Sequence, residues 1–94
     1  MNLITLKGTV ELIKNEQPFN GAYMVQFVLT EGVDKNKQHY YVSSYSPGEY
    51  DRHGIHTLIG KEVEITCYLN GRKREGDKGT FYMNELRVKE LRLL

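Results

Sequence analysis

Apolar residues recurring at every second position, in several short separate runs, limit this chain to a small sheet with one buried face. The first run sets Ile4, Leu6, Val10 and Leu12 against Thr5, Lys7, Thr9 and Glu11, the alternation of a long, half-buried strand. Gly8 interrupts the apolar row. A missing side chain there permits the coil or bulge that lets one strand bend between two sheet layers.

The polar stretch Lys14–Gly21, with Pro18 and Gly21, reads as a loop. A second strand spans Ala22–Thr30, with Tyr23, Val25, Phe27 and Leu29 toward the core and Met24, Gln26, Val28 and Thr30 on the outer face. Gly32, Asp34 and Asn36 then turn the chain back within Glu31–Lys37 into a third strand near Gln38–Ser44, an antiparallel meander. Tyr40 and Val42 share one face of it and His39, Tyr41 and Ser43 the other, with a tyrosine in each set, so the alternation leaves open which face is inward.

Ser46-Pro47-Gly48-Glu49 breaks the alternation. It has the form of a helix start, with Ser46 as N-cap, Pro47 at the first helical position and Glu49 completing a capping box. The helix runs to Leu58 or Ile59, turns Tyr50, Ile55, Leu58 and Ile59 to the body of the protein, and stops at Gly60 as a left-handed C-terminal cap. A fourth strand sets Val63, Ile65, Cys67 and Leu69 against Glu62, Glu64, Thr66 and Tyr68. After a basic loop, a fifth carries Tyr82, Leu86 and Val88 inward and Phe81, Met83, Glu85 and Arg87 outward.

Ninety-four residues with 39% hydrophobic content make one domain, residues 1–94. The net charge of +1 is far from that of a strongly basic duplex binder, so any electrostatic footprint is local. The single cysteine, Cys67, forms no internal disulfide; it reads as a small buried hydrophobe in a reducing compartment. No apolar run reaches the roughly 18 residues of a membrane span, and the N-terminus lacks the apolar region of a signal peptide. A cytoplasmic protein is expected.

Three strands, a short helix and two further strands form an all-β chain with one short helix. This is the element order of the OB-fold, a five-stranded Greek-key barrel that binds through its second and third strands and its one-two and four-five loops. Leu6–Glu11, Gly60–Thr66, Asn70-Gly71-Arg72, and Phe81-Tyr82 with Asn84 carry a resemblance to bacterial single-stranded-DNA-binding proteins. Closer still are their short, tail-less relatives, the primosomal replication protein and an uncharacterised family of bacterial OB-fold proteins. The resemblance implies non-catalytic binding of single-stranded DNA, with RNA also possible. The chain departs from those proteins in having no tryptophan and no acidic-tipped tail, so a recruitment role is not expected.

The segment Tyr68–Tyr82 encloses cations between aromatic ends, and rings that stack on bases beside cations that hold phosphates are what an unpaired strand requires. Arg72, Lys73, Arg74 and Lys78 are the expected phosphate contacts, offset in part by Glu75 and Asp77. Tyr68 and Phe81 are expected close together across the fourth and fifth strands, and Tyr41, Lys7 and Met24 extend the track. An OB barrel serves equally as a protein-interaction module, in which Val28, Tyr41, Tyr68 and Met83 form a subunit interface. A chain this small gains stability by pairing, and a homo-oligomer, dimer or higher, is expected.

Catalytic signals are weak. His53 and His56 have a spacing that sets two ligands on one helix face, but no third is signalled and no metal or cofactor is expected. Ser43, Ser44 and Ser46 are outside any nucleophile-elbow sequence, and no phosphate-cradling loop occurs.

Overall fold

The computed structural model describes residues 2–47 and 53–94. Among these the elements are β1 (Asn2–Phe19), β2 (Ala22–Glu31), a 3-10 turn (Asp34–Asn36), β3 (Gln38–Pro47), one α-helical turn α1 (Ile55–Leu58), β4 (Glu62–Gly76) and β5 (Gly79–Leu93). The strands close into a barrel in the order β1-β2-β3-β5-β4. The last contact to form the ring is short and parallel, with Val42 beside Leu86 and Ser43 beside Arg87.

Closure works because β1 serves two neighbours in turn, pairing with β4 from Asn2 to Thr9 and with β2 from Thr9 to Phe19. The change of partner needs close backbone approach at Gly8. A Cβ there would lie 2.6 Å from the Thr30 carbonyl oxygen, well inside contact distance. Around this crossing Val10, Phe27, Leu29, Val42, Ile55, Val63, Ile65 and Cys67 are sealed from solvent. Burying each of the larger of these side chains stabilises the fold by roughly 1.5–3 kcal/mol. Cys67 is one of the core hydrophobes, as expected, and burial pushes its thiol up to about 11.

Three expectations are corrected. The polar stretch Lys14–Gly21 is mostly strand, because Asn20 and Gly21 both take positive φ (47° and 78°) and close a tight hairpin that pairs Phe19 with Ala22. Ser46 is not a helix cap: Ser46 and Pro47 continue β3 opposite Tyr23 and Ala22, and the Ser46 hydroxyl donates to the Tyr23 carbonyl. The helical turn begins only at Ile55, after Gly54 with φ of 62°; Glu49 and Tyr50 lie outside the described residues. Ile55 and Leu58 are buried as expected, whereas Ile59 is exposed, since its backbone bridges to Val10 in parallel fashion. Gly60 takes the expected positive φ, 84°.

The third correction concerns the basic segment, which is ladder rather than loop. β4 and β5 stay paired to Gly76 and Gly79, leaving a two-residue turn at Asp77-Lys78. The ribbon extends past the barrel, so the radius of gyration is 14.1 Å against about 12 Å for a compact chain of this length.

The crossing at Gly8 makes the first prediction. Gly8→Ala destabilises the domain by about 1–3 kcal/mol, the range for overpacking a tight site, read as a lower urea midpoint at unchanged m-value. Unaltered stability would show that β1 and β2 do not approach as described.

Candidate nucleic-acid interface

The β1–β2 hairpin and the base of the β4–β5 ribbon rise on the same side of the barrel and flank a cleft of about 210 Å³ lined by Phe19, Asn20, Ala22, Tyr45, Arg72, Glu85 and Arg87. Each arrives by simple alternation. Tyr41, Ser43 and Tyr45 take the outward positions of β3 and Val42, Ser44 and Ser46 the inward ones; Ser43 is buried like the inward set, while Tyr41 stays exposed. Glu85 and Arg87 are outward positions of β5, and Arg72 faces the same way from β4, opposite Met83.

Glu85 organises the cleft. One carboxylate oxygen accepts the Tyr45 hydroxyl at 3.0 Å and the other accepts Arg72 Nη2 at 3.4 Å. Arg87 places its guanidinium 4.7 Å from the centre of the Tyr45 ring, within cation–π range. Phe19 meets that ring from the hairpin, with centroids 5.9 Å apart and planes inclined at 55°. Tyr45 is half-buried, whereas Phe19 is 46% exposed, so Phe19 is the more accessible ring of this pair. Two guanidinium groups against one carboxylate leave the cleft cationic.

Tyr41 stands four residues from Tyr45 along β3, about 13 Å at strand rise. It lines a shallow depression of about 340 Å³ with Lys14, Val28, His39 and Tyr40. Its hydroxyl donates to Gln26 Oε1 at 2.9 Å, and Asn15 Nδ2 donates to the same oxygen at 3.1 Å. Gln26 Nε2 in turn donates to Ser43 Oγ at 3.2 Å. A polar row thus joins two ring platforms on one wall.

The expected site residues divide accordingly. Tyr41 and Arg72 belong to this wall, and Tyr68 joins it as the register partner of Arg87. Phe81 does not lie beside Tyr68: it pairs with Arg74, six positions farther along the ribbon, roughly 20 Å away. The short turn at Asp77-Lys78 is the reason, since it carries pairing out to the tip. Arg74 and Phe81 therefore form a separate outer cluster. Lys73 is on the opposite ribbon face with Tyr82 and is salt-bridged to Glu75 at 3.1 Å, and Lys78 sits in the turn. Met24 is only 5% exposed, because it lies in mid-sheet between Gln17 and Tyr45; the expectation of an accessible Met24 is corrected. Lys7 lies in the other half of β1, where it and Arg92 share Glu64 at 3.7 and 3.0 Å. Arg92 holds the Glu64 carboxyl below its ordinary value.

Phe19, Tyr45, Arg87 and Lys14 were not among the expected site residues. Asn20-Gly21 is the sequence signal that places Phe19 at a hairpin end. Tyr45 continues the alternation of Tyr41 and Ser43, but the adjacent Ser46-Pro47 obscures it.

The rest of the surface offers less for a base. The larger cavity, about 440 Å³, is lined by Thr9, Val10, Glu11, Thr30, Gly32, Lys37, Ile59 and Gly60, with no aromatic ring among the described residues that line it. The Thr30 hydroxyl donates to Glu11 there, which holds that carboxyl below its ordinary value. The two histidines of α1 and its approach turn to different partners, His53 Nδ1 to Ser44 Oγ at 2.7 Å and His56 Nε2 to Glu16 at 2.7 Å. No metal-holding cluster occurs among the described residues.

No protein-family model matches the chain, and no curated protein matches it in sequence. Solved structures do match. A crystal structure of the mitochondrial single-stranded DNA binding protein Rim1 of S. cerevisiae superposes with a TM-score of 0.72 at 14% identity, covering 99% of this chain and 94% of that one. A second crystal structure of the same protein gives 0.69 at 15% identity over the same shares. The fold is an OB barrel. At this identity the likeness is one of architecture: five strands closing in a ring, with one short helix among the described residues.

Tyr45 supplies a pH signature of this OB barrel. Burial disfavours the phenolate, and the Glu85 carboxylate adds to the effect, so its hydroxyl ionises above the ordinary 10.0. The folded value exceeds the unfolded one, so this contribution to stability is complete below pH 10.0 and is lost as pH rises through the folded value. Urea unfolding above pH 10 shows a falling stability whose slope is shallower in Tyr45→Phe. An identical alkaline slope in both proteins would contradict the burial and pairing of that hydroxyl.

Proposed function

We propose that this OB barrel binds single-stranded nucleic acid, DNA in the first instance, without performing chemistry on it. One observation carries the reading: Phe19, Tyr41, Tyr45 and Tyr68 share a wall with Arg72 and Arg87, and Glu85 fixes the ring and guanidinium at its centre. In OB barrels the second and third strands and the loops after the first and fourth strands take oligonucleotides, and the cleft lies at the meeting of those parts. The description of Rim1 as a single-stranded DNA binding protein points the same way.

In this reading a base stacks on Phe19 while Arg72 and Arg87 neutralise the flanking phosphates. A second base reaches Tyr41, where Lys14 supplies the cation. Arg74, Lys78 and Phe81 extend the path along the ribbon. Bases are met mainly by ring faces, which every base possesses, so the binding is sequence-tolerant.

Fluorescence anisotropy of labelled oligothymidine and of a matched duplex, across a salt series, tests the proposal. Single strand binds more tightly than duplex. Phe19→Ala weakens binding about 5- to 150-fold, the equivalent of one stacked base, with the salt slope retained. Joint replacement of Arg72 and Arg87 by alanine weakens binding and lowers the slope by about 1.4, at about 0.7 per phosphate contact. Equal affinity for both nucleic acids rejects stacking, and no binding at low salt transfers the exposed rings to a protein-interaction role.

A further inference from the structure

Beyond the barrel, the ribbon presents two strand edges with opposite character. Among the described residues β1 pairs with β4 only as far as Leu69, and β3 meets β5 only at Leu86 and Arg87. Backbone donors and acceptors along both outer stretches therefore lack a strand partner. The β4 stretch reads Asn70-Gly71-Arg72-Lys73-Arg74-Glu75-Gly76, and its charges guard that edge against pairing, as cationic side chains do on native edge strands. The β5 stretch Thr80-Phe81-Tyr82-Met83-Asn84 is uncharged. Phe81, Tyr82 and Met83 are 57, 76 and 48% exposed. A β-prone run without charge or proline on an open edge is a template for strand addition.

We propose that this β5 edge pairs antiparallel with the same edge of a second copy, centred on Tyr82. The sequence is self-complementary in that register. Tyr82 faces Tyr82 of the second copy, Phe81 faces Met83 in both directions to give two sulfur–aromatic contacts, and Thr80 faces Asn84. Carried one step outward, the register brings Gly79 to Glu85 and stops short of Leu86 and Arg87, where β3 occupies the edge. It also keeps the two Arg72-Lys73-Arg74 runs on the far edges of the four-stranded sheet, so the cations do not oppose one another. The two-fold axis stands perpendicular to the sheet, and the Arg74–Phe81 clusters of both copies therefore share one face. Five paired residues a side bury less than a standard interface, which makes the dimer concentration-dependent. The pairing does not rest on nucleic-acid binding.

Sedimentation equilibrium of the full chain, without nucleic acid, tests it from about 1 μM to about 1 mM. The weight-average mass rises from monomer to dimer. Tyr82→Lys, which opposes two charges at the axis, keeps it monomeric with unchanged circular dichroism and urea midpoint. Under mild oxidation Tyr82→Cys cross-links to a dimer, because residues facing across a two-fold lie near disulfide reach; Thr80→Cys, facing Asn84, does not. A protein monomeric throughout this range overturns the proposal. So does a dimer that survives Tyr82→Lys, open-ended assembly, or equal cross-linking at both positions.

Discussion

Everything in this molecule depends on one strand changing partners. β1 leaves β4 and joins β2 at Thr9, and the absence of a side chain on Gly8 lets the Thr30 backbone come within a distance that any Cβ would forbid. With that crossing made, the sheet rolls up and the apolar rows of β1, β2, β3, β4 and β5 meet in one core. The same crossing frees the second half of β1 to rise as a hairpin with β2. That hairpin, the outer positions of β3 and the root of the β4–β5 ribbon then stand around one cleft.

The character of the cleft comes from a single carboxylate set among rings and guanidinium groups. Glu85 orients Tyr45 and Arg72 through separate oxygens and leaves positive charge in excess, and the proposed ligand is an anion that also has flat apolar faces. Unpaired nucleotides combine those features. Similar folds at 14–15% identity say how the barrel is built, and the case for its ligand rests on these side chains.

Much of the architecture was legible in the alternation of the chain. Val25, Phe27, Leu29, Val63, Ile65, Cys67 and Val88 are buried as their positions require, and the outward facing of Phe81 and Arg87 follows equally. Period two reports facing, however, and says nothing of register. A long loop between β4 and β5 would set Phe81 beside Tyr68, whereas the two-residue turn carries it out to the ribbon opposite Arg74. Register shifts in β1 after Val10 and Ile13 break the alternation where the strand continues, so Lys14–Phe19 resembled a loop and Phe19 was lost from view. Ser46-Pro47 carried the local signature of a helix start, yet pairing with Ala22 and Tyr23 outweighed it. Met24 was outward by pattern and is still buried, because neighbours on both adjacent strands cover a mid-sheet position.

The central claim is that an unpaired strand lies across the wall from Phe19 and Tyr45 to Tyr41. Titrating isotope-labelled protein with oligothymidine and following backbone amide shifts tests it most directly. The account predicts saturable shifts at Phe19, Tyr41, Tyr45, Arg72 and Arg87, with Lys7, Glu64 and the Glu11–Thr30 end of the barrel unmoved. Shifts confined to those latter residues, or none at saturating oligonucleotide, would contradict it.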